Sequence, residues 1–322
     1  MTRTVDALGR RAVGIDVGGT KTAAALVGDD GTVLALETLP TPAEDVDATL
    51  ATVVKAAQAV LTPDVGAVGI AAAGLVAWET GELVFAPNLA WRHVPLAAFL
   101  TSTLGVPVVA DNDNTAAAWG EYVFGAGRGF KDLLLVGVGT GIGGGIVSGG
   151  RLFHGANGFA AEIGHIVMDP AGPLCGCGNR GCWEQLASGQ AVTRAGRAAV
   201  RGGTETVLAE LTGGDPDRVT GPMVTQAARD GDAVSVAILA EVGHWLGVGI
   251  GGLVNILDPE IVIMAGGVAE AGDLLLLDPA RAAYHDTVEA SEMRPDVPIV
   301  MAAHGSHTGV VGAAALVLEA PG

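Results

Sequence analysis

Strand and helix patterns that alternate along 322 residues, together with two strand–glycine turn–strand hairpins, predict an α/β protein with a duplicated plan and a cleft between its halves. No low-complexity linker interrupts the chain. The length suffices for a sizeable core and for two domains.

The elements follow in order. "AVGIDVGGTKTAAALV" (residues 12–27) alternates apolar residues into Asp16, breaks at Gly18-Gly19-Thr20 and resumes, which reads as strand, turn, strand. "DATLATVVKAAQAVL" (47–61) has helical periodicity, and "GAVGIAAAGLV" (66–76) reads as a strand ending in small residues. "VPVVADNDN" (106–114) is a strand that ends in a polar cluster, and "NTAAAWGEY" (114–122) looks like a helix start, with Asn114 or Thr115 as its cap. "LLLVGVGTGIGGGIV" (133–147) repeats the hairpin scheme, turning at Gly139-Thr140-Gly141. Residues 232–257 have a long helical pattern, and "EIVIMAGGVAE" (260–270) is a further strand.

The bulk properties exclude several classes. A net charge of -18, with only Lys21, Lys55 and Lys131 as lysines and no clustered cations, disfavours a nucleic-acid partner. Mean hydropathy is +0.45. The most apolar stretch, residues 245–257, is short, glycine-rich and interrupted by Asn255, whereas a membrane span needs about 20 apolar residues. "MTRTVDALGRR" lacks the apolar centre of a signal peptide. The expectation is a cytoplasmic protein without a membrane partner.

All three cysteines fall in "GHIVMDPAGPLCGCGNRGCWE" (164–184), spaced His165-x9-Cys175-x-Cys177-x4-Cys182. Three thiolates and one imidazole are a closed tetrahedral set for structural zinc. In a reducing compartment such cysteines read as ligands rather than disulfides. Glu162 and Glu184 flank the set, so the knot would hold two carboxylates at fixed places.

Each glycine turn can present backbone N–H groups to phosphate oxygens, with Thr20 and Thr140 adding hydroxyls. Asp16 is placed to hold Mg²⁺. The G-x-x-x-x-G-K-[ST] loop is absent. Asn112 and Asp113 end a strand, where α/β proteins place ligand sites. Asp113 reads either as part of a helix start or as the base that accepts a hydroxyl proton in phosphoryl transfer. Gly74, Asn88, Glu162, His165 and Glu184 offer groups suited to vicinal hydroxyls, with a turn role as the alternative for Asn88. Trp91 reads as packing rather than sugar stacking. The remaining histidines (93, 154, 244, 285, 304 and 307) show no ligand spacing and read as packing or surface.

Together "DVGGTK", "ADNDNTAAAWGE", "EIGH" and "CGCGNRGCWE" resemble the signatures of the ROK family of bacterial sugar kinases, from Gly14 to about residue 315. Within the family, "APNLAWRHVPL" and "GCWEQLASG" look most like the glucokinases. The resemblance implies an actin-like (ribonuclease H-like) ATPase fold of two domains that close over sugar and nucleotide. It implies a smaller N-terminal domain, 1–111, with a C-terminal helix (about 308–322) packing back on it. The larger domain, 112–307, would carry the zinc loop.

The implied reaction is ATP-dependent phosphorylation of the glucose 6-hydroxyl. Asp113 matches the general base. Gly74, Asn88, Asn112, Asp113, Glu162, His165 and Glu184 match sugar-contacting positions. His165, Cys175, Cys177 and Cys182 match the zinc ligands. Asp16, Gly18, Gly19, Thr20, Lys21, Thr140, Gly141, Gly266 and Gly267 match nucleotide or Mg²⁺ positions. The family implies a homodimer or homotetramer. Ser306-His307 replace an Asn/Asp-rich pair common there. Alternatives are a kinase for mannose, N-acetylmannosamine, N-acetylglucosamine or fructose, a glucose-binding scaffold without turnover, and a sugar-responsive repressor. The last is disfavoured by the charge and by the 11 residues before Ala12, too few for a helix-turn-helix.

Overall fold

The computed structural model describes residues 11–268 and 276–318. The expected signal-free N-terminus (1–10), the end of the 260–270 strand and residues 319–322 of the C-terminal helix lie outside the described residues. By contacts the chain divides into two compact units: residues 1–135 with 144–161 and 300–322, and residues 136–143 with 162–299.

The chain opens with β1 (Arg11–Val17), β2 (Lys21–Gly28) and β3 (Val33–Pro40), then α1 (Val46–Val60). Asp45 caps α1 by accepting from the Ala48 N–H at 2.9 Å. There follow β4 (Val68–Ala72), β5 (Leu75–Ala77), β6 (Glu82–Phe85), β7 (Arg92–Val94), α2 (Leu96–Leu104), β8 (Val108–Asn112) and α3 (Asp113–Phe124). The expected strand over 66–76 is thus two strands. Gly74 divides them with φ +143°, a conformation few other residues adopt.

Next come β9 (Leu133–Val138), β10 (Ile142–Ser148) and β11 (Arg151–Leu152), then α4 (Trp183–Ala187), α5 (Gly189–Arg201), α6 (Val207–Thr212), α7 (Gly221–Arg229) and α8 (Ala233–Leu257). The chain continues through β12 (Ile261–Ala265), α9 (Asp278–Thr287), β13 (Ile299–Met301) and α10 (Thr308–Ala315).

Two five-stranded sheets run β3-β2-β1-β4-β8 and β11-β10-β9-β12-β13. In chain order each reads third, second, first, fourth, fifth, so the plan is repeated. In the first sheet β1 and β2 are antiparallel, whereas β1–β4 and β4–β8 are parallel. The strands β5-β6-β7 form a small separate sheet.

Val13, Ile15, Val17, Ile70, Leu83, Trp91, Leu96 and Leu100 build the core on one face of the first sheet. The other face receives α10, which also packs on α3. That approach depends on missing side chains. A Cβ at Gly14 would lie 1.9 Å from the Val310 carbonyl oxygen, and one at Gly69 1.7 Å from that of Ala313.

In the second unit α8 packs on α4, α5, α7 and α9. By length and composition α8 alone among the described helices could cross a membrane. Its Leu239, Val242, Leu246, Ile250, Leu253 and Val254 are buried in the fold. Trp183 is fully buried and donates from Nε1 to the Trp245 carbonyl at 2.7 Å, tying α4 to α8.

Candidate functional site

Within the first unit, β1 delivers Asp16 to the first glycine turn, which the Gly18 N–H closes onto the Lys21 carbonyl at 3.0 Å. Gly19 lies against the loop that carries Asn88: a Cβ there would sit 2.9 Å from Asn88 Cβ. Asp16 is largely enclosed, and its Oδ2 would lie 2.4 Å from a Cβ at Gly309, in the first turn of α10. Burial raises the Asp16 pKa to about 6, the Asp113 charge adds to the rise, and Lys21 opposes it.

Asn112 ends β8, and α3 begins at Asp113. Sequence reading expected Asn114 or Thr115 as the cap; the cap is Asn112. Its Oδ1 accepts from the Asn114 and Thr115 N–H groups at 2.9 and 3.1 Å, while its Nδ2 donates to the Gly74 carbonyl at 3.0 Å. The tertiary bond to Gly74 selects Asn112 among several cap-competent neighbours. Asp113 becomes the first helical residue, and its Oδ1 accepts from both Asn114 nitrogens at 3.0 Å. Burial raises its pKa against those hydrogen bonds.

Gly74, Asn88, Asn112 and Asp113 therefore lie in the first unit with Asp16, Gly18, Gly19, Thr20 and Lys21. Asn88 is exposed, while Trp91 is wholly buried as a core residue. Sequence reading missed Arg92. Its Nη1 donates to the Ala86, Leu89 and Trp91 carbonyls at 2.7, 2.9 and 2.6 Å, and its guanidinium lies 4.2 Å from the Phe85 ring centroid. One arginine thus staples the loop that presents Asn88. Its only sequence signal is a cation next to His93 in a short stretch between apolar residues.

Within the second unit the Gly139 N–H closes the second turn onto the Gly141 carbonyl at 3.0 Å. The first N–H groups of α5 dock on that turn, Gly189 to the Gly139 carbonyl at 2.9 Å and Gln190 to the Thr140 carbonyl at 3.3 Å. Gly266 (φ +91°) brings β12 onto the same turn, and the Val268 N–H reaches the Val138 carbonyl at 3.1 Å. Thr140, Gly141, Gly266 and Gly267 are thereby neighbours. Glu184 joins them: a Cβ at Gly141 would lie 2.4 Å from its Oε2.

The donor atoms of His165, Cys175, Cys177 and Cys182 lie within 4.8 Å of one another. A tetrahedral zinc site with bonds of about 2.0–2.3 Å needs donors about 3.4–3.8 Å apart. Cys177 Sγ and Cys182 Sγ are 3.5 Å apart, and Cys175 Sγ is 3.7 Å from His165 Nδ1. The donor set and its spacing fit the ion.

Short backbone bonds shape the knot, Cys175 N–H to the Asn179 carbonyl at 2.8 Å and Gly181 N–H to the Pro173 carbonyl at 2.8 Å. Burial pushes the Cys175 and Cys182 thiols up, whereas the Asn179 amide lowers Cys177. Buried sulfurs of this kind are stable as thiolates only around a cation. The His165 ring turns Nδ1 toward the sulfurs and Nε2 toward Glu162 Oε2, 3.9 Å away. Glu184 Oε1 lies 3.0 Å from Cys175 Sγ. The knot therefore fixes Glu184 directly and faces Glu162 through the histidine.

The sequence model of the ROK family matches residues 12–320. The chain is 42% identical to a glucokinase of Streptomyces coelicolor over 311 residues, 95% of this chain and 97% of that one. It is 35% identical to a glucokinase of Thermotoga maritima, again over 95% of this chain and 97% of that one. Among solved structures it resembles a ROK family glucokinase from Streptomyces griseus in complex with glucose and AMPPNP, with TM-score 0.85, 40% identity, and 95% of this chain and 98% of that one covered. The fold is accordingly the two-domain actin-like ATPase fold. The chain is a member of the ROK family.

Proposed function

We propose that this protein is an ATP-dependent glucokinase that transfers the γ-phosphoryl group to the 6-hydroxyl of glucose. The observation that carries the reading is the likeness to a glucokinase holding glucose and AMPPNP, at 40% identity over 95% of the chain. The local geometry supports it. Asp113 sits at the start of α3, fixed through Oδ1 by Asn114, and burial raises its pKa above the ordinary carboxylate value, as suits a group that must accept a proton.

Asp113 orients the 6-hydroxyl and takes its proton as the sugar oxygen bonds to phosphorus and ADP leaves. Gly74, Asn88, Asn112, Glu162, His165 and Glu184 bind the sugar hydroxyls. The Gly18 and Gly139 amides are spent closing their turns. The Gly19, Thr20, Thr140 and Gly141 amides are then the ones to offer to phosphate oxygens, with Lys21, Gly266 and Gly267 beside them.

Two enclosed carboxylates that repel each other, Asp16 and Asp113, leave that end of the sheet short of positive charge. This fits Mg²⁺ held by Asp16, and that ion supplies charge neutralisation to the nucleotide phosphates when bound. His165, Cys175, Cys177 and Cys182 hold zinc, which supplies the shape of the Glu184 loop. We place the protein in the cytoplasm as a homodimer or homotetramer.

The test is a coupled assay of ATP-dependent phosphorylation over glucose, mannose, fructose, N-acetylglucosamine and N-acetylmannosamine. A specificity constant highest for glucose is expected. Preference for an acetamido sugar would overturn the substrate assignment, and absence of turnover on every sugar would overturn the kinase.

A further inference from the structure

One buried pair, anchored two residues before the proposed base, has no part in the reaction as described. Asp111 precedes Asn112 and Asp113 and is 4% exposed. Both of its oxygens are engaged. Oδ1 accepts from the Asn112 backbone N–H at 2.8 Å, and Oδ2 accepts from His154 Nε2 at 2.7 Å. A carboxylate only accepts, so Nε2 carries the proton.

The His154 side chain is 13% exposed. Its ring stacks on Trp78, with centroids 4.6 Å apart and planes 12° from parallel. The segment bearing His154 is closed by the Ala160 N–H to the His154 carbonyl at 3.1 Å. It is seated on β5 and Trp78 at Gly158, where a Cβ would lie 2.7 Å from the Val76 carbonyl oxygen and 3.1 Å from the Trp78 backbone nitrogen. Every one of these residues belongs to the first unit.

β8 is the outer strand of its sheet, so its last peptide has a neighbouring strand on one side alone. The direction in which Asp113 leaves the strand is set by the Asn112 peptide. Asn112 is held at three points: its side-chain Oδ1 caps α3, its side-chain Nδ2 binds the Gly74 carbonyl, and its backbone N–H is gripped by Asp111. The third hold is only as firm as the Asp111 carboxylate, which His154 fixes from its other oxygen. A charge-assisted bond in an enclosed site is strong and directional.

We propose that Trp78, His154 and Asp111 form a positioning relay that aims the Asp113 carboxylate at the sugar hydroxyl. The relay rests on the reading of Asp113 as general base. It acts mainly on the rate of transfer, because its own members are not among the proposed sugar- or nucleotide-binding residues and Asn112, through which it works, is one of several proposed sugar contacts. Misaiming a base by about 1 Å can cost on the order of a hundredfold in rate.

The experiment compares wild type, D113N, H154F and H154Q in steady-state kinetics with glucose and ATP, alongside melting temperatures. H154F keeps an aromatic ring against Trp78 and removes the N–H. Its kcat should fall roughly ten- to hundredfold with both KM values within about threefold of wild type. H154Q returns a donor near the Nε2 position and should recover kcat to within about threefold of wild type. Because H154F leaves Oδ2 of a buried carboxylate without its partner, the double variant D111N/H154F removes that charge as well. It should melt near wild type and keep the kcat defect.

Wild-type kcat in H154F or in the folded double variant overturns the relay. So does an equal loss in H154F and H154Q that tracks a fall in melting temperature, which would assign the pair to folding alone. Wild type without turnover, or an active D113N, overturns the parent reading and the relay with it. An active wild type with a dead D113N and a normal H154F overturns the relay alone.

Discussion

Replacing Asp16 with asparagine should stabilise the ligand-free protein while abolishing its activity. Burial and the nearby Asp113 raise the Asp16 pKa from 3.8 to about 6. The folded state then binds this proton more tightly than the unfolded chain does. Its contribution to stability is greatest below pH 4, declines as pH rises from about 4 to 6, and is level above that window. The ionised carboxylate costs the fold on the order of 3 kcal/mol at pH 8, from about two units at 1.36 kcal/mol each. Asparagine has nearly the same shape and no charge, so it avoids this cost and gives up only the weaker attraction of Lys21.

For a chain of this size, about 3 kcal/mol corresponds to roughly 4 °C in melting temperature. D16N should therefore melt about 4 °C above wild type at pH 8 and level with it at pH 4, by calorimetry or fluorescence without nucleotide. If D16N melts at or below wild type at pH 8, or if the gap is the same at both pH values, the assigned shift is wrong. Adding Mg²⁺ with AMPPNP should raise the wild-type melting temperature more than that of D16N, reversing the order.

Three further outcomes are expected. C175S should lose zinc by elemental analysis and raise the KM for glucose more than that for ATP, because Cys175 contacts Glu184 at 3.0 Å; full activity without metal would show the knot to be dispensable. Gly69→Ala should destabilise the protein by more than about 2 kcal/mol in chemical denaturation, since its Cβ would lie 1.7 Å from the Ala313 carbonyl oxygen and α10 must back away. R92A should raise the KM for glucose several-fold with kcat within about threefold, as the loop bearing Asn88 loses its three carbonyl anchors.

The sequence carried the local elements well, because their signals are local. The turns at Gly18–Thr20 and Gly139–Gly141 stand where the apolar alternation breaks. The helix expected at 47–61 runs Val46–Val60, and the pattern over 232–257 is a helix capped by Asp232. The cluster of His165 with the three cysteines was legible because cysteine is rare in the chain and its spacing is short.

Other features depend on partners far along the chain. Asn112, Asn114 and Thr115 are all competent caps, and the choice falls to a carbonyl 38 residues away, at Gly74. His154 shows no ligand spacing because its partner, Asp111, is 43 residues distant. The division of the 66–76 strand follows from the φ of Gly74, a tertiary requirement that composition does not express.

The most direct test of the account is the turnover of D113N measured beside its affinity for glucose. Asparagine preserves the acceptor that Asn114 engages and cannot take a proton. Glucose binding by calorimetry should stay within about threefold of wild type, while kcat for ATP-dependent formation of glucose 6-phosphate falls roughly 10²- to 10⁴-fold. A D113N enzyme that turns over within a few-fold of wild type would contradict the assignment of Asp113 as the base.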